Sequence, residues 1–149
     1  MVKMQLPQDF KEFLRLLNSN KIKYLLIGGY AVGYHGYSRA TVDMDIWISI
    51  ADTNVSKVIK VINEFGFNDP KLSSETFVKL KRVVRMGVPP IRLKVISEID
   101  GINFEDSFSK KIEDEIDGIP VNIIDLQSLK INKKASGRLK DLSDLEYLP

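Results

Sequence analysis

The segment TVDMDIWISI, residues 41–50, sets two aspartates two positions apart inside an otherwise apolar run. In an extended strand side chains alternate between faces, so Asp43 and Asp45 share one face about 6 to 7 Å apart, while Val42, Met44 and Ile46 take the other. A strand this apolar has to be buried, and a carboxylate carried in with it costs free energy unless it meets a cation, a donor or a metal. Any fold for this chain must answer that demand.

The residues just upstream narrow the answer. KYLLIGG is a short apolar run ended by Gly28 and Gly29, and YAVGYHG is a small-residue segment leading to the aspartate strand. The pattern reads as strand, short helix, strand. Glycines directly after a strand let backbone N–H groups approach an anion, and a helix opening there adds favourable charge, so the turn has the makings of a phosphate cradle. Oxygen-only ligands such as Asp43 and Asp45 favour magnesium or manganese, which commonly retain waters and take substrate phosphates as further ligands. The structural alternative is a tight turn beside a polar edge strand whose aspartates pair with Arg39 or a lysine.

The remaining chain supplies the other elements. Phe10, Phe13, Leu14 and Leu17 recur at helical spacing between Pro7 and about Asn18. Thr53 is placed to cap a helix carrying Val55, Val58, Ile59, Ile62 and Phe65, closed by Gly66. A short helix near Ser73 is expected, then strands at KRVVRMG and IRLKVIS either side of Pro89-Pro90, and a last strand at IPVNIID. Asp125 sits at the N-cap of a helix over LQSLKINKKASG, and LKDLSDLEYL is helical again.

Composition bounds the function without naming it. At 149 residues with 44% hydrophobic and 28% charged side chains, one soluble globular domain over 1–149 is expected. The balance of 22 basic and 20 acidic residues gives +2, too little to bind nucleic acid by bulk charge. With no cysteine, disulfides, thiolate metal sites and cysteine nucleophiles are excluded. The first residues scatter charge through the sequence and form neither a secretory signal nor a membrane span, so a cytoplasmic protein without membrane contact is expected.

Strand, Gly-Gly, helix, strand and Asp-x-Asp together resemble the nucleotidyltransferase superfamily of the polymerase-beta type, in its minimal single-domain prokaryotic branch, which includes relatives of nucleotidyltransferase-type toxins of toxin–antitoxin pairs. PPIRLKVISEIDGINFEDSF resembles that branch's third-carboxylate strand and following loop. INKKASGRLKDLSDLEYL resembles its lysine-rich helix and ending, so the likeness covers roughly residues 20 to 148. It implies an α+β fold, a mixed sheet flanked by helices, and transfer of a nucleoside monophosphate from a nucleoside triphosphate to a hydroxyl on protein or RNA. Asp43 and Asp45 would be the metal ligands and catalytic carboxylates, and Gly28 and Gly29 the phosphate-contacting turn. Two cations about 3.5 to 4 Å apart suit such an in-line displacement. A partner protein or a second copy would complete the cleft.

One position departs from that pattern. Laid without gaps on RLKVIS, the third aspartate falls on Lys94. An ammonium has no acceptor lone pair, so it neither ligates a metal nor takes the proton of an attacking hydroxyl. Three readings follow: Lys94 stands in electrostatically for one cation and transfer is slow; Glu98 or Asp100 substitutes as ligand; or the chain is a catalytically degenerate nucleotide-binding or protein-interaction module.

Further residues complete the candidate set. Arg39 precedes the aspartate strand and could grip triphosphate oxygens bidentately, with Ser38 beside it. Lys130, Lys133 and Lys134 share a helical face, which makes Lys133 and Lys134 candidates for nucleotide phosphate or RNA against the alternative of a solvated face. Asp141 and Asp144 suit local salt bridges or caps. Trp47, in phase with the aspartates, packs in the core or stacks a base. His35 is the only histidine and has no metal-binding companion of its kind.

Overall fold

The computed structural model describes residues 4–38, 41, 43–67, 73, 83–87 and 92–149. Helix α1 (Gln8–Ser19) starts directly after Pro7, whose φ of −54° and missing N–H suit a helix entrance. It buries Phe10, Phe13, Leu14 and Leu17 completely, each contributing about 1.5–3 kcal/mol of burial. Phe13 meets Phe65 edge-on at 5.3 Å and Phe10 meets Tyr30 at 5.7 Å. The helix thereby joins the elements on both sides of the aspartate strand.

The strands are β1 (Tyr24–Ile27), β2 (Asp43–Ile48), β3 (Val83–Met86), β4 (Arg92–Ile96), β5 (Ile112–Ile116) and β6 (Ile119–Ile123). They form one mixed sheet in the order β3-β4-β2-β1-β6-β5. The β1–β2, β3–β4 and β5–β6 pairs are antiparallel, whereas β1–β6 and β2–β4 are parallel. The α+β architecture expected from the sequence is therefore the one observed. β1 and β2 sit at the centre, which is why Tyr24, Leu25, Leu26, Met44, Ile46 and Ile48 have no exposed surface.

Helix α2 (Gly28–Tyr34) follows β1 without a linker, and α3 (Asp52–Glu64) follows β2. The cap expected at Thr53 is not formed: Ala51 occupies the N-cap, no side chain caps the helix, and Thr53 lies inside it. Asn54 explains the earlier start. Its amide accepts from Lys23 N and donates to the carbonyls of Lys23 and Ser49, pinning the first turn of α3 to the adjoining ends of β1 and β2. The helix expected near Ser73 falls largely on residues outside those described.

Two elements had no counterpart in the sequence reading: α4 (Phe104–Ser109) and β5. Asn103 caps α4 by accepting from Asp106 N. β5 reads IEDEI, and three consecutive acids hide a strand from a hydrophobic-pattern search. It forms because it is an edge strand paired to β6 through an Asp117-Gly118 turn with φ of +53° and +79°, the geometry that Asp-Gly hairpins favour. α5 (Leu126–Ser136) begins at Asp125, whose side chain accepts from Ser128 N at 3.2 Å, and stops at Gly137 with φ +64°. α6 (Leu139–Tyr147) completes the chain's helices. Among the described residues no helix is long and apolar enough to cross a membrane.

Candidate functional site

The parallel pairing of β2 with β4 places Asp43 opposite Arg92 and Asp45 opposite Lys94. Because all four positions are in phase, two carboxylates and two cations meet on one face of the sheet. Arg92 donates to Asp43 through Nε at 3.1 Å and Nη2 at 3.4 Å, one nitrogen to each carboxylate oxygen. Lys94 Nζ lies 3.2 Å from Asp43 Oδ2 and 4.0 Å from Asp45 Oδ1. Asp43 is thus held from two sides, while Asp45 Oδ1 is buried without a hydrogen-bond partner.

The antiparallel β1–β2 pair puts Ile27 opposite Asp45, so the turn that follows β1 lies against that aspartate. Gly28 has φ +69°, and a Cβ built on it would stand 2.3 Å from Asp45 Oδ2. Only glycine fits there, for conformation and for space. Gly29 is buried in the first turn of α2.

The two aspartates differ electrically. Burial alone would raise the Asp43 carboxyl, but hydrogen bonds from Arg92 and Lys94 outweigh it and hold the group below its ordinary value. For Asp45 burial wins and pushes the carboxyl up; Lys94 opposes this, the Asp43 charge adds to it, and Lys140 and Lys133 pull weakly back. Asp45 therefore keeps a buried oxygen without a hydrogen bond, 4.0 Å from an ammonium that bonds Asp43 more closely.

The lysine-rich helix contributes differently from its sequence pattern. Lys133 is only 5% exposed, and its Nζ lies 3.1 Å from Asp141 Oδ1 and 3.0 Å from Asp144 Oδ2. Ser136 Oγ donates to Asp141 Oδ2 at 2.6 Å and Arg138 Nε to the same oxygen at 2.9 Å. These bonds outweigh burial and hold the Asp141 carboxyl at about 2. Lys133 is thus committed to joining α5 to α6. Lys130 Nζ bonds the Pro149 carbonyl, and Lys134 is exposed. Arg39 lies outside the described residues.

The remaining candidates have structural employment. His35 Nε2 is 2.7 Å from the Ile124 carbonyl. Trp47 is 2% exposed and meets Phe104 edge-on at 5.1 Å. β4 ends at Ile96, so Glu98 and Asp100 lie past the strand that carries Lys94; Glu98 lines a cavity of about 430 Å³ with Trp47 and Ser97. Arg92 is the site residue that the sequence reading passed over. Its signal was available: it stands two residues before Lys94, on the same face of the same strand.

A two-cation centre does not fit this donor set. Among the described residues no third carboxylate or imidazole joins Asp43 and Asp45. Asp43 has both oxygens engaged by cationic side chains, and Lys94 Nζ stands between the two carboxylates where a shared ion would have to lie. A cation bound by both would have to displace it.

No protein-family model and no curated protein matches the chain. Solved structures do. A Thermotoga maritima protein provisionally described as a nucleotidyltransferase superposes with a TM-score of 0.64, covering 92% of this chain and 88% of the other at 13% identity. An antigenic nucleotidyltransferase-like protein of Paracoccidioides brasiliensis gives 0.53, covering 92% and 72%, again at 13% identity. The order of strands, the helices that flank them and these superpositions together identify the chain's architecture as the nucleotidyltransferase fold.

Proposed function

We propose that this chain binds a nucleoside triphosphate on the sheet face between the Gly28 turn and Lys94, with nucleotidyl transfer to a hydroxyl acceptor as the reaction class to be tested. The observation that carries the reading is the convergence of Gly28, Asp45 and Lys94: a turn stripped of its side chain, against a carboxylate with one buried oxygen that accepts no hydrogen bond, beside an ammonium 4.0 Å from that oxygen. Lys94 has three N–H donors, and only its bond to Asp43 is made at hydrogen-bonding distance. The other donors suit phosphate oxygens. Magnesium enters this reading as the triphosphate's own counter-ion. Lys134 and Arg39 remain candidates for outer phosphate contacts, whereas Lys133 acts by fixing α5 against α6.

The chemistry expected of these residues is binding and orientation. Arg92 holds Asp43, Asp43 holds Lys94, and Lys94 faces the ligand. With a lysine where a third carboxylate would be a base, the group at that position cannot take the proton of an attacking hydroxyl. Transfer is therefore expected to be slow or absent, and binding to be the retained function.

The test is calorimetric titration with each of the four ribonucleoside triphosphates, paired with label transfer from the same nucleotides to RNA and protein acceptors. One triphosphate is expected to bind, with little transfer by the wild type. Absence of binding by all four, with and without magnesium, would sink the nucleotide reading. Robust transfer that disappears in Asp45→Asn would instead establish an active enzyme.

A further inference from the structure

We infer that Lys94 is a covalently tethered substitute for a divalent cation, so that the site excludes free metal and takes the phosphate anion through Lys94 itself. The part concerning phosphate rests on the function proposed above; the part concerning metal does not. The register fixes Lys94 beside Asp45, and the side-chain distances of 3.2 Å to Asp43 and 4.0 Å to Asp45 put its charge between the two carboxylates. Arg92 supplies a second positive charge to Asp43. Two carboxylates are thus balanced by two side-chain cations, and the electrostatic demand that draws a divalent ion to paired aspartates is already met from within the chain.

The same geometry sets how an anion enters. Lys94 is 26% exposed on its side chain, so it is partly open to solvent while bonding Asp43. Asp45 is the one member of the quartet with an unpartnered buried oxygen, and as an anion it opposes a phosphate arriving at Lys94. A metal-dependent site needs Asp45 charged; a site working through Lys94 works better with Asp45 neutral. Those requirements have opposite signs, which separates the two mechanisms in one variant.

The first arm uses manganese alone, followed by its electron paramagnetic resonance signal. The wild type is expected to leave manganese free at millimolar concentration, while Lys94→Asp takes it up. Uptake by the wild type that is lost in a folded Asp45→Asn variant overturns the inference. The second arm measures affinity for the triphosphate that binds, with magnesium and with chelator. Wild-type affinity is expected to change by less than about threefold between them, Lys94→Met to weaken it by about tenfold or more, and Asp45→Asn to tighten it. A wild type that binds at least tenfold more weakly in chelator, or an Asp45→Asn variant that loses binding, overturns the inference and leaves nucleotide binding standing. Silence with every nucleotide overturns the phosphate half together with the proposed function, and manganese uptake still decides the metal half.

Discussion

Two charge clusters, one buried between helices and one half-buried on the sheet, are built to different standards. In the helical cluster, Lys133 lies between Asp141 and Asp144, and Ser136 and Arg138 complete the bonding of Asp141. In the sheet cluster, Asp43 is fully engaged by Arg92 and Lys94, but Asp45 keeps a buried oxygen with no hydrogen-bond partner. Burial is not the distinction, since the Asp141 side chain at 1% exposure is more enclosed than Asp45 at 21%. Completeness of bonding is. A closed network stabilises geometry, whereas an incomplete one carries the cost of an unsatisfied polar atom.

Breaking the closed cluster should have the largest effect. Lys133→Met leaves Asp141 and Asp144 buried without their shared cation and should lower unfolding free energy by about 3–5 kcal/mol in denaturant titrations. Replacing Asp141 and Asp144 by leucine in the same background should recover most of it, and a loss under roughly 1 kcal/mol would contradict the assignment. Next comes Gly28→Ala, which combines a left-handed backbone with a Cβ 2.3 Å from Asp45 Oδ2; about 2–3 kcal/mol should be lost, with partial recovery when Asp45 is also changed to alanine.

The aspartates themselves sharpen the contrast through pH. The Asp141 carboxyl is depressed from 3.8 to about 2, so its contribution is present above pH 4 and disappears as the pH falls through about 2. That contribution is about 2 kcal/mol, measurable as the acid limb of a stability profile that flattens in Asp141→Asn. Asp45 is shifted the other way: its folded carboxyl loses protons less readily than the unfolded one, so it weakens the fold above its raised value and the penalty is relieved on acidification. Asp45→Asn should therefore stabilise the protein at neutral pH, where Asp141→Asn destabilises it. Equal signs for the two substitutions would erase the distinction between the clusters.

Much of the architecture could be read from the sequence because it obeys local rules. Alternation revealed β2 and β4, the 3.6-residue period revealed α1 and α3, and Asp125 announced α5. β5 escaped because its acidic residues are tolerated only on an edge strand, a property of topology and not of composition. Of the candidate site, Gly28, Asp43 and Asp45 could be picked out from pattern and Lys94 only from the family resemblance; the structure makes all four neighbours. Arg92's bond to Asp43 and the diversion of Lys133 into an internal ion pair depend on which strands and helices become neighbours, information that no short window of sequence contains.

The central position of β1 has a consequence for the order in which the protein can assemble. One neighbour, β2, is completed by residue 48, but the other, β6, ends at residue 123. During synthesis the YLLI edge of β1 stays unpaired until β6 has emerged, and the closing contact, Leu26 with Ile123, spans roughly two thirds of the sequence. A shortened polypeptide ending before β6 would expose an adhesive apolar edge in the middle of what should be its core. The turn at Gly28, which grows out of that strand, is therefore secured only when β6 has arrived.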